Sequence, residues 1–173
     1  MQRILIIGSG GSGKSTLAQQ LEKELKLPLY HLAAYYWKPG WTPTPTKEWD
    51  VFLDGLLQKE AWILDGNYSR TLDIRMRRAD TVILLDYSRW ITVYRVLKRR
   101  VMYHGKTRPD MNKDCPESVD LQFLKWVWSF RKTKIPGIMQ QLAKHPDKHI
   151  IILKSPKDTK RFLQRIKESD ANR

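Results

Sequence analysis

Cysteine, long apolar runs and acidic residues are all scarce in this chain of 173 residues. Cys115 is the only cysteine, which excludes an intrachain disulfide and argues against a cysteine-based metal site. No stretch approaches the roughly 18 consecutive apolar residues that a membrane span needs. The short apolar run before Gly8 lacks the features of a signal sequence and is typical of a first strand. We therefore expect a cytosolic protein without a membrane partner.

The shortage of acidic residues leaves a strong positive charge. Lysine and arginine number 32 against 18 aspartates and glutamates, which gives a net charge of +14. Such a field attracts polyanions, either nucleic acid or phosphorylated small molecules. The chain length and the 41% hydrophobic content indicate a single globular domain over residues 1–173.

Short apolar runs alternate with longer helical patterns along the chain, which predicts an α/β sandwich with a parallel sheet. Five strands are expected, at residues 3–7, 29–32, 61–65, 81–86 and 149–154. Helices are expected at residues 14–26, 46–60, 89–103, 119–144 (bent at Pro136) and 157–167. The segment AAYYWKPGWTPTPTKEW, residues 33–49, is rich in proline and aromatic residues and predicts an ordered loop that leads into the second helix.

The segment IIGSGGSGKSTL matches the phosphate-binding pattern G-x-x-x-x-G-K-[ST] between a predicted strand and a predicted helix. Backbone N–H groups of such a loop point at phosphate oxygens, and the helix N-terminus adds its positive dipole end. We expect Lys14 to reach the β- and γ-phosphates and the Ser15 hydroxyl to bind Mg²⁺. The candidate ATP-binding residues of this loop are Gly8, Ser9, Gly10, Gly11, Ser12, Gly13, Lys14, Ser15 and Thr16.

A second candidate cluster lies in the segment DGNYSRT. Asp65 ends a predicted strand, where a carboxylate can anchor the water shell of Mg²⁺, although a turn aspartate before Gly66 is the plain alternative. Arg70 follows five residues later and could clamp a second phosphate or carboxylate group with two hydrogen bonds. Together with Lys14, Asp65 and Arg70 are therefore candidate catalytic residues, and Arg70 is also a candidate acceptor-binding residue.

These motifs resemble those of adenylate kinases, whose LDGFPRT signature is similar to LDGNYSRT here, with one extra residue before the arginine. The resemblance is closer to the bacterial adenylate kinase-like group known as DNA topology modulation proteins, on IIGSGGSGKSTLA, YYWKPGWTPTP, DGNYSRTLDIR, YRVLKRR, GKTRPDM and FLKWVWSFR. It implies a P-loop NTPase three-layer sandwich with a five-stranded parallel sheet of order 2-3-1-4-5. It also implies a lid-like helical segment at about residues 100–118.

Residues 89–113 contain eight lysines or arginines and a single acidic residue, Asp110. By resemblance to adenylate kinases, Arg95 and Arg99 enter the nucleotide site and Arg108 is a candidate lid arginine. Arg99 and Arg108 are candidate catalytic residues that neutralise charge on the transferred phosphoryl group. A solvated helix face is the alternative for these side chains. Basic residues interleaved with Tyr94, Tyr103, Trp126 and Trp128 leave nucleic-acid binding as a further alternative.

The aromatic loop contains three candidate acceptor-binding residues, Tyr35, Tyr36 and Trp37, which could instead pack in the core. Ala33 stands where related small-molecule kinases often have an aspartate that holds or deprotonates the acceptor. The sequence thus predicts a kinase that uses ATP and Mg²⁺ and transfers phosphate to a nucleotide or another small acceptor. The alternative is a nucleic-acid-associated ATP-binding protein or NTPase that affects DNA topology.

Overall fold

The computed structural model describes residues 1–171, which form a parallel sheet between two layers of helices. The strands are β1 (Arg3–Gly8), β2 (Leu29–His31), β3 (Trp37–Lys38), β4 (Thr42–Pro43), β5 (Trp62–Asp65), β6 (Thr81–Leu85) and β7 (His149–Leu153). The helices are α1 (Lys14–Leu25), α2 (Leu32–Tyr36), α3 (Thr46–Leu57), α4 (Leu72–Arg78), α5 (Arg89–Met102), α6 (Leu121–Thr133), α7 (Ile135–Ala143) and α8 (Pro156–Ala171). The predicted α/β class and the parallel sheet are confirmed.

The main sheet has five parallel strands in the order β2-β5-β1-β6-β7. These labels differ from the expected 2-3-1-4-5 because the sequence-based count omitted β3 and β4, a two-stranded antiparallel hairpin outside the main sheet. In the central register, Ile6 pairs with Asp65 of β5, and Gly8 pairs with Leu85 of β6. The phosphate loop and the end of β5 therefore meet at the carboxyl edge of the sheet.

Strand β1 is buried on both faces, as expected for the centre of a parallel sheet. Leu5 and Ile7 pack into one hydrophobic cluster, with residues of α3, α4, α6 and α7. Ile4 and Ile6 pack into the other, with residues of α1 and α8. Because side chains alternate along a strand, these two clusters make the core of a three-layer sandwich.

The long helix expected over residues 119–144 is instead two helices, α6 and α7, which meet at Lys134. Proline has no N–H to donate to the carbonyl four residues earlier, so Pro136 suits the first turn of a new helix better than the interior of a long one. The sequence patterns also missed the short helices α2 and α4. Helix α2 directly follows β2, whereas residues 66–71 separate α4 from β5.

The segment between α5 and α6, residues 103–120, departs from the expected helical lid. It consists of turns and two isolated β-bridges, His104 with Glu117 and Thr107 with Pro116, and contains no helix. The buried Cys115 lies in this segment, with its Sγ near the carbonyl oxygen of Lys38. Within the described part of the chain, no helix is both long enough and apolar enough to cross a membrane.

Candidate active site

The phosphate loop occupies the turn between β1 and α1 and opens into a cleft of about 1100 Å³. The cleft is lined by Gly10, Gly11, Ser12, Gly13, Lys14, Ser15 and Thr16, whereas Gly8 and Ser9 are buried behind them. The Lys14 ammonium donates a hydrogen bond to the carbonyl oxygen of Ser9 at 2.8 Å, which folds the side chain back over the loop.

The glycines of the loop are needed because two helices press against its outer side. A Cβ added to Gly11, where φ is +73°, would lie 2.3 Å from the carbonyl oxygen of Thr92 in α5. A Cβ on Gly10 would lie 2.9 Å from the ring of Phe123 in α6. Only glycine permits this approach of backbone to neighbouring helices.

Two buried hydroxyl groups of the loop lack a partner in the described part of the chain, and of these only that of Ser12 belongs to the cleft lining. The Oγ atoms of Ser9 and Ser12 are buried and lack a hydrogen-bond partner among residues 1–171. A buried hydroxyl without a partner is costly, and each of these hydroxyls lies in a loop whose pattern binds phosphate. Phosphate oxygens are acceptors of the kind that these donors lack.

Basic side chains gather along the cleft beside Lys14. Burial lowers the pKa of Lys14 to about 8; Asp65 opposes this shift, and the charges of Arg99 and Arg108 add to it. Burial also lowers the pKa of Arg99, again with a contribution from the neighbouring Arg108. Arg95 lines the same cleft, with Nη1 3.4 Å from the carbonyl oxygen of Ser12. The structure therefore brings together the four predicted phosphate-facing cations.

Oxygen-bearing side chains lie at the same end of the cleft and suit a hard cation such as Mg²⁺. The Ser15 hydroxyl donates to Asp110 Oδ2 at 2.8 Å, and Asp65 contributes a nearly buried carboxylate. His31 Nδ1 lies 3.0 Å from Asp65 Oδ1. Burial opposes protonation of His31, but the hydrogen bond and charge of Asp65, with smaller contributions from Asp110 and Glu22, raise the pKa of its imidazole.

In residues 1–171, no three histidine, cysteine or carboxylate side chains are grouped so that they alone could hold a metal ion. A magnesium ion here would thus depend on the Ser15 hydroxyl and on phosphate oxygens as well as on carboxylates. That requirement agrees with a metal that arrives with its nucleotide.

The loop after β5 is held from two sides. Asn67 forms a pair of hydrogen bonds with the backbone of Gly8: its amide nitrogen donates to the Gly8 carbonyl, and its Oδ1 accepts from the Gly8 N–H at 3.1 Å. Behind the loop, the fully buried Arg75 donates to the carbonyl oxygens of Gly66, Tyr68 and Thr71. Burial lowers the pKa of Arg75 to about 10.

The predicted acceptor residues are only partly brought to the cleft. Arg70 is exposed and pairs with Asp50 of α3 through both terminal nitrogens, outside the cleft lining. Trp37 lines the cleft, but Tyr35 stacks on Phe52 with ring centroids 4.8 Å apart. Tyr36 packs edge-on against Trp49 at 5.2 Å. Tyr36 thus packs against the core, whereas Tyr35 stacks on Phe52 at the surface with 46% of its area exposed, and Ala33 lies in the cleft lining.

Four residues of the site were not singled out from the sequence: His31, Asn67, Asp110 and Glu117. Position could have indicated the first two, since His31 ends β2 and Asn67 follows β5, and polar residues at the carboxyl ends of parallel strands often line sites. Asp110 and Glu117 lie in the irregular segment 103–120. No pattern in the sequence pointed to their partners.

Known proteins of solved structure share the fold of this chain. No family model matches the chain, and no curated protein does. Among solved structures, shikimate kinase from Acinetobacter baumannii in complex with shikimate superposes with a TM-score of 0.59 at 14% identity, over 99% of this chain and 94% of that one. The chain shares a P-loop kinase fold. Shikimate kinase from Bacteroides thetaiotaomicron gives a TM-score of 0.50 at 16% identity, over 97% of both chains. At such low sequence identities, the structural similarity is evidence for a shared fold only.

Proposed function

We propose that this protein is an ATP-dependent phosphotransferase that moves the γ-phosphoryl group to a small-molecule acceptor. The observation that carries the proposal is the crowding of Lys14, Arg99 and Arg108 in a single cleft, where each arginine charge lowers the pKa of Lys14. Like charges are held together at a cost that a bound polyanion removes. The phosphate-loop pattern identifies that polyanion as a nucleoside triphosphate.

In this proposal the loop amides and Lys14 hold the β- and γ-phosphates, and Arg95 contacts the nucleotide. Magnesium, when bound with the nucleotide, supplies charge neutralisation at the transferred group. Ser15 and Asp65 would hold it, with Asp65 acting partly through water. Arg99 and Arg108 stabilise negative charge on the transferred phosphoryl group, which is where phosphoryl-transfer enzymes gain most of their rate.

The finer assignment, an enzyme of the adenylate kinase-like DNA topology modulation group, rests on the sequence motifs given above. Trp37 is the one aromatic candidate of the three that lines the cleft, which supports a role in binding the acceptor. For Arg70 to hold the acceptor, its guanidinium would have to leave Asp50. We therefore propose Trp37 ahead of Arg70 as an acceptor contact.

Thermal melting with and without MgATP is the first experiment. Wild-type protein is expected to melt higher with MgATP, and Lys14→Ala is expected to lose most of that rise. Coupled ADP production, screened over nucleosides, nucleotides and small hydroxy acids, then tests transfer. A wild-type melting temperature indifferent to every Mg-nucleotide would sink the proposal.

The alternative, a nucleic-acid-associated NTPase, is favoured by the net charge of +14 and by Trp90 and Tyr94, which are exposed on α5 among basic residues. The same assay separates the two functions. ADP release that needs no acceptor and rises with added DNA supports the NTPase. ADP release that needs a small acceptor supports the kinase.

A further inference from the structure

Glu117 is a buried carboxylate in the irregular segment between α5 and α6, with 4% of its surface exposed. Its backbone is fixed on both sides. The Glu117 N–H donates to the Lys106 carbonyl oxygen at 3.0 Å, and Arg100 Nη1 donates to the Glu117 carbonyl oxygen at 2.9 Å. A carboxylate this deep persists only when its charge is paired.

Two arginines of the cleft pair with this carboxylate. Arg99 Nε donates to Oε1 at 3.1 Å, and Arg108 Nε lies 2.8 Å from Oε2. One carboxylate thus bridges a helix residue and a residue of the segment. The charges of Arg99 and Arg108 repel each other, as the lowered pKa of Arg99 reflects after the larger effect of burial. Glu117 is what keeps them side by side.

Both contacts use the Nε atom and leave the far end of each guanidinium available. The terminal nitrogens of Arg99 have no hydrogen-bond partner in the part of the chain that the structure describes. Arg108 Nη1 is 3.4 Å from Asp110 Oδ2, a long contact. Guanidinium groups held in this way retain the planar fork of donors that matches phosphate oxygens.

The available ends belong to the phosphate region of the cleft. Arg99 and Arg108 line it together with Lys14, and both charges act on the pKa of the Lys14 ammonium. Lysines at this position of a phosphate loop reach the β- and γ-phosphates. ATP and ADP differ only by the γ-phosphate, so groups that gather near it discriminate between the two nucleotides.

We propose that Glu117 is a positioning residue that presents Arg99 and Arg108 to the γ-phosphate, so that the preference of this protein for ATP over ADP depends on its carboxylate. The proposal rests on the phosphotransferase function given above. It adds that Arg99 of α5 and Arg108 of the segment 103–120 are already oriented before nucleotide binds.

The test compares dissociation constants of MgATP and MgADP for wild-type protein and Glu117→Gln, measured by calorimetric titration. Glutamine keeps the shape but not the charge, so the two arginines separate. The expected result is a loss of MgATP affinity of about tenfold or more, the size associated with losing one charged hydrogen bond. MgADP affinity is expected to stay within about twofold, because the α- and β-phosphates keep the loop amides and Lys14.

Glu48→Gln is the matched control, because Glu48 is an exposed glutamate that pairs with Lys38 away from the cleft. It is expected to leave both dissociation constants unchanged. If Glu117→Gln does not fold, Arg108→Ala is measured instead and is expected to show the same selective loss of MgATP affinity.

In folded variants, Glu117→Gln should cost less MgATP affinity in an Arg108→Ala background than in wild-type protein, since only Arg99 then remains for Glu117 to position. Equal losses for MgATP and MgADP, or an unchanged ratio of the two, overturn the inference and leave the proposed function standing. Wild-type protein that binds neither nucleotide overturns the proposed function and this inference with it.

Discussion

Protonation of Lys14 is the property of the free protein that a nucleotide should change most. Burial and the neighbouring arginine charges hold its pKa at about 8, against an ordinary value of 10.5. A phosphate beside the ammonium favours the charged form and raises this pKa again. Nucleotide binding should therefore take up a proton when the pH is near or above 8 and below the raised pKa of the bound state.

The size of the effect follows from the fraction of Lys14 that is neutral before binding. With a pKa of about 8, roughly 0.1, 0.5 and 0.9 protons should be taken up per nucleotide at pH 7, 8 and 9 respectively. The same fractions imply that MgATP binds about tenfold more weakly at pH 9 than at pH 7. MgATP affinity should fall as pH rises, because the form of Lys14 that binds phosphate is the protonated one and its population falls with increasing pH.

Calorimetric titrations in two buffers with different enthalpies of ionisation measure the uptake directly. Lys14→Arg is the control, since arginine remains charged throughout this range and should bind nucleotide without taking up a proton. Uptake near zero for wild-type protein at pH 8 to 9 would refute the reasoning. So would an equal uptake in Lys14→Arg, since the proton would then belong to another group.

The remaining predictions concern the phosphate loop and the exposed residue Arg70. Gly11→Ala combines a φ of +73° with a 2.3 Å approach to the Thr92 carbonyl oxygen, so we expect a loss of about 2 kcal/mol or more and a melting temperature lower by roughly 4–8 °C. Gly55→Ala is the matched change, because open space surrounds Gly55 within α3, and it should raise the melting temperature by about 2–4 °C. Calorimetry of both variants decides, and a Gly11→Ala protein as stable as wild type would contradict the packing described. Arg70→Ala should change neither the melting temperature nor MgATP affinity, because Arg70 and its partner Asp50 are exposed outside the cleft lining; a weaker MgATP affinity would place Arg70 in the donor site after all.

Local pattern was enough to predict the phosphate loop and the strands that flank it. The apolar run before Gly8 can be buried only at the centre of a sheet, and Lys14 begins a helix because the loop pattern demands one. Asp65 was identified for a similar reason, since its position at the end of a buried strand is readable from the residues around it.

Contacts between distant segments were beyond the sequence. Arg70 was assigned to the acceptor from its spacing to Asp65, but its partner Asp50 comes from a helix 20 residues earlier. Glu117 is a single glutamate in a segment without a periodic sequence pattern. Its role depends on ion pairs with Arg99 of α5 and with Arg108, which only the folded structure shows. The hairpin of β3 and β4 was missed because each strand has only two residues, too few to show alternation.

The paired hydrogen bonds between Asn67 and Gly8 extend the ladder of β1 and β5 by one rung made from a side chain. That rung joins the first residue of the phosphate loop to the loop that follows β5, whose residues 66–68 line the same cleft. A ligand that orders either loop therefore orders the other, and part of the entropy of binding the second ligand is already lost with the first. We expect binding of the donor to raise the affinity for the acceptor and the reverse, because the two hydrogen bonds between Asn67 and Gly8 connect the two loops.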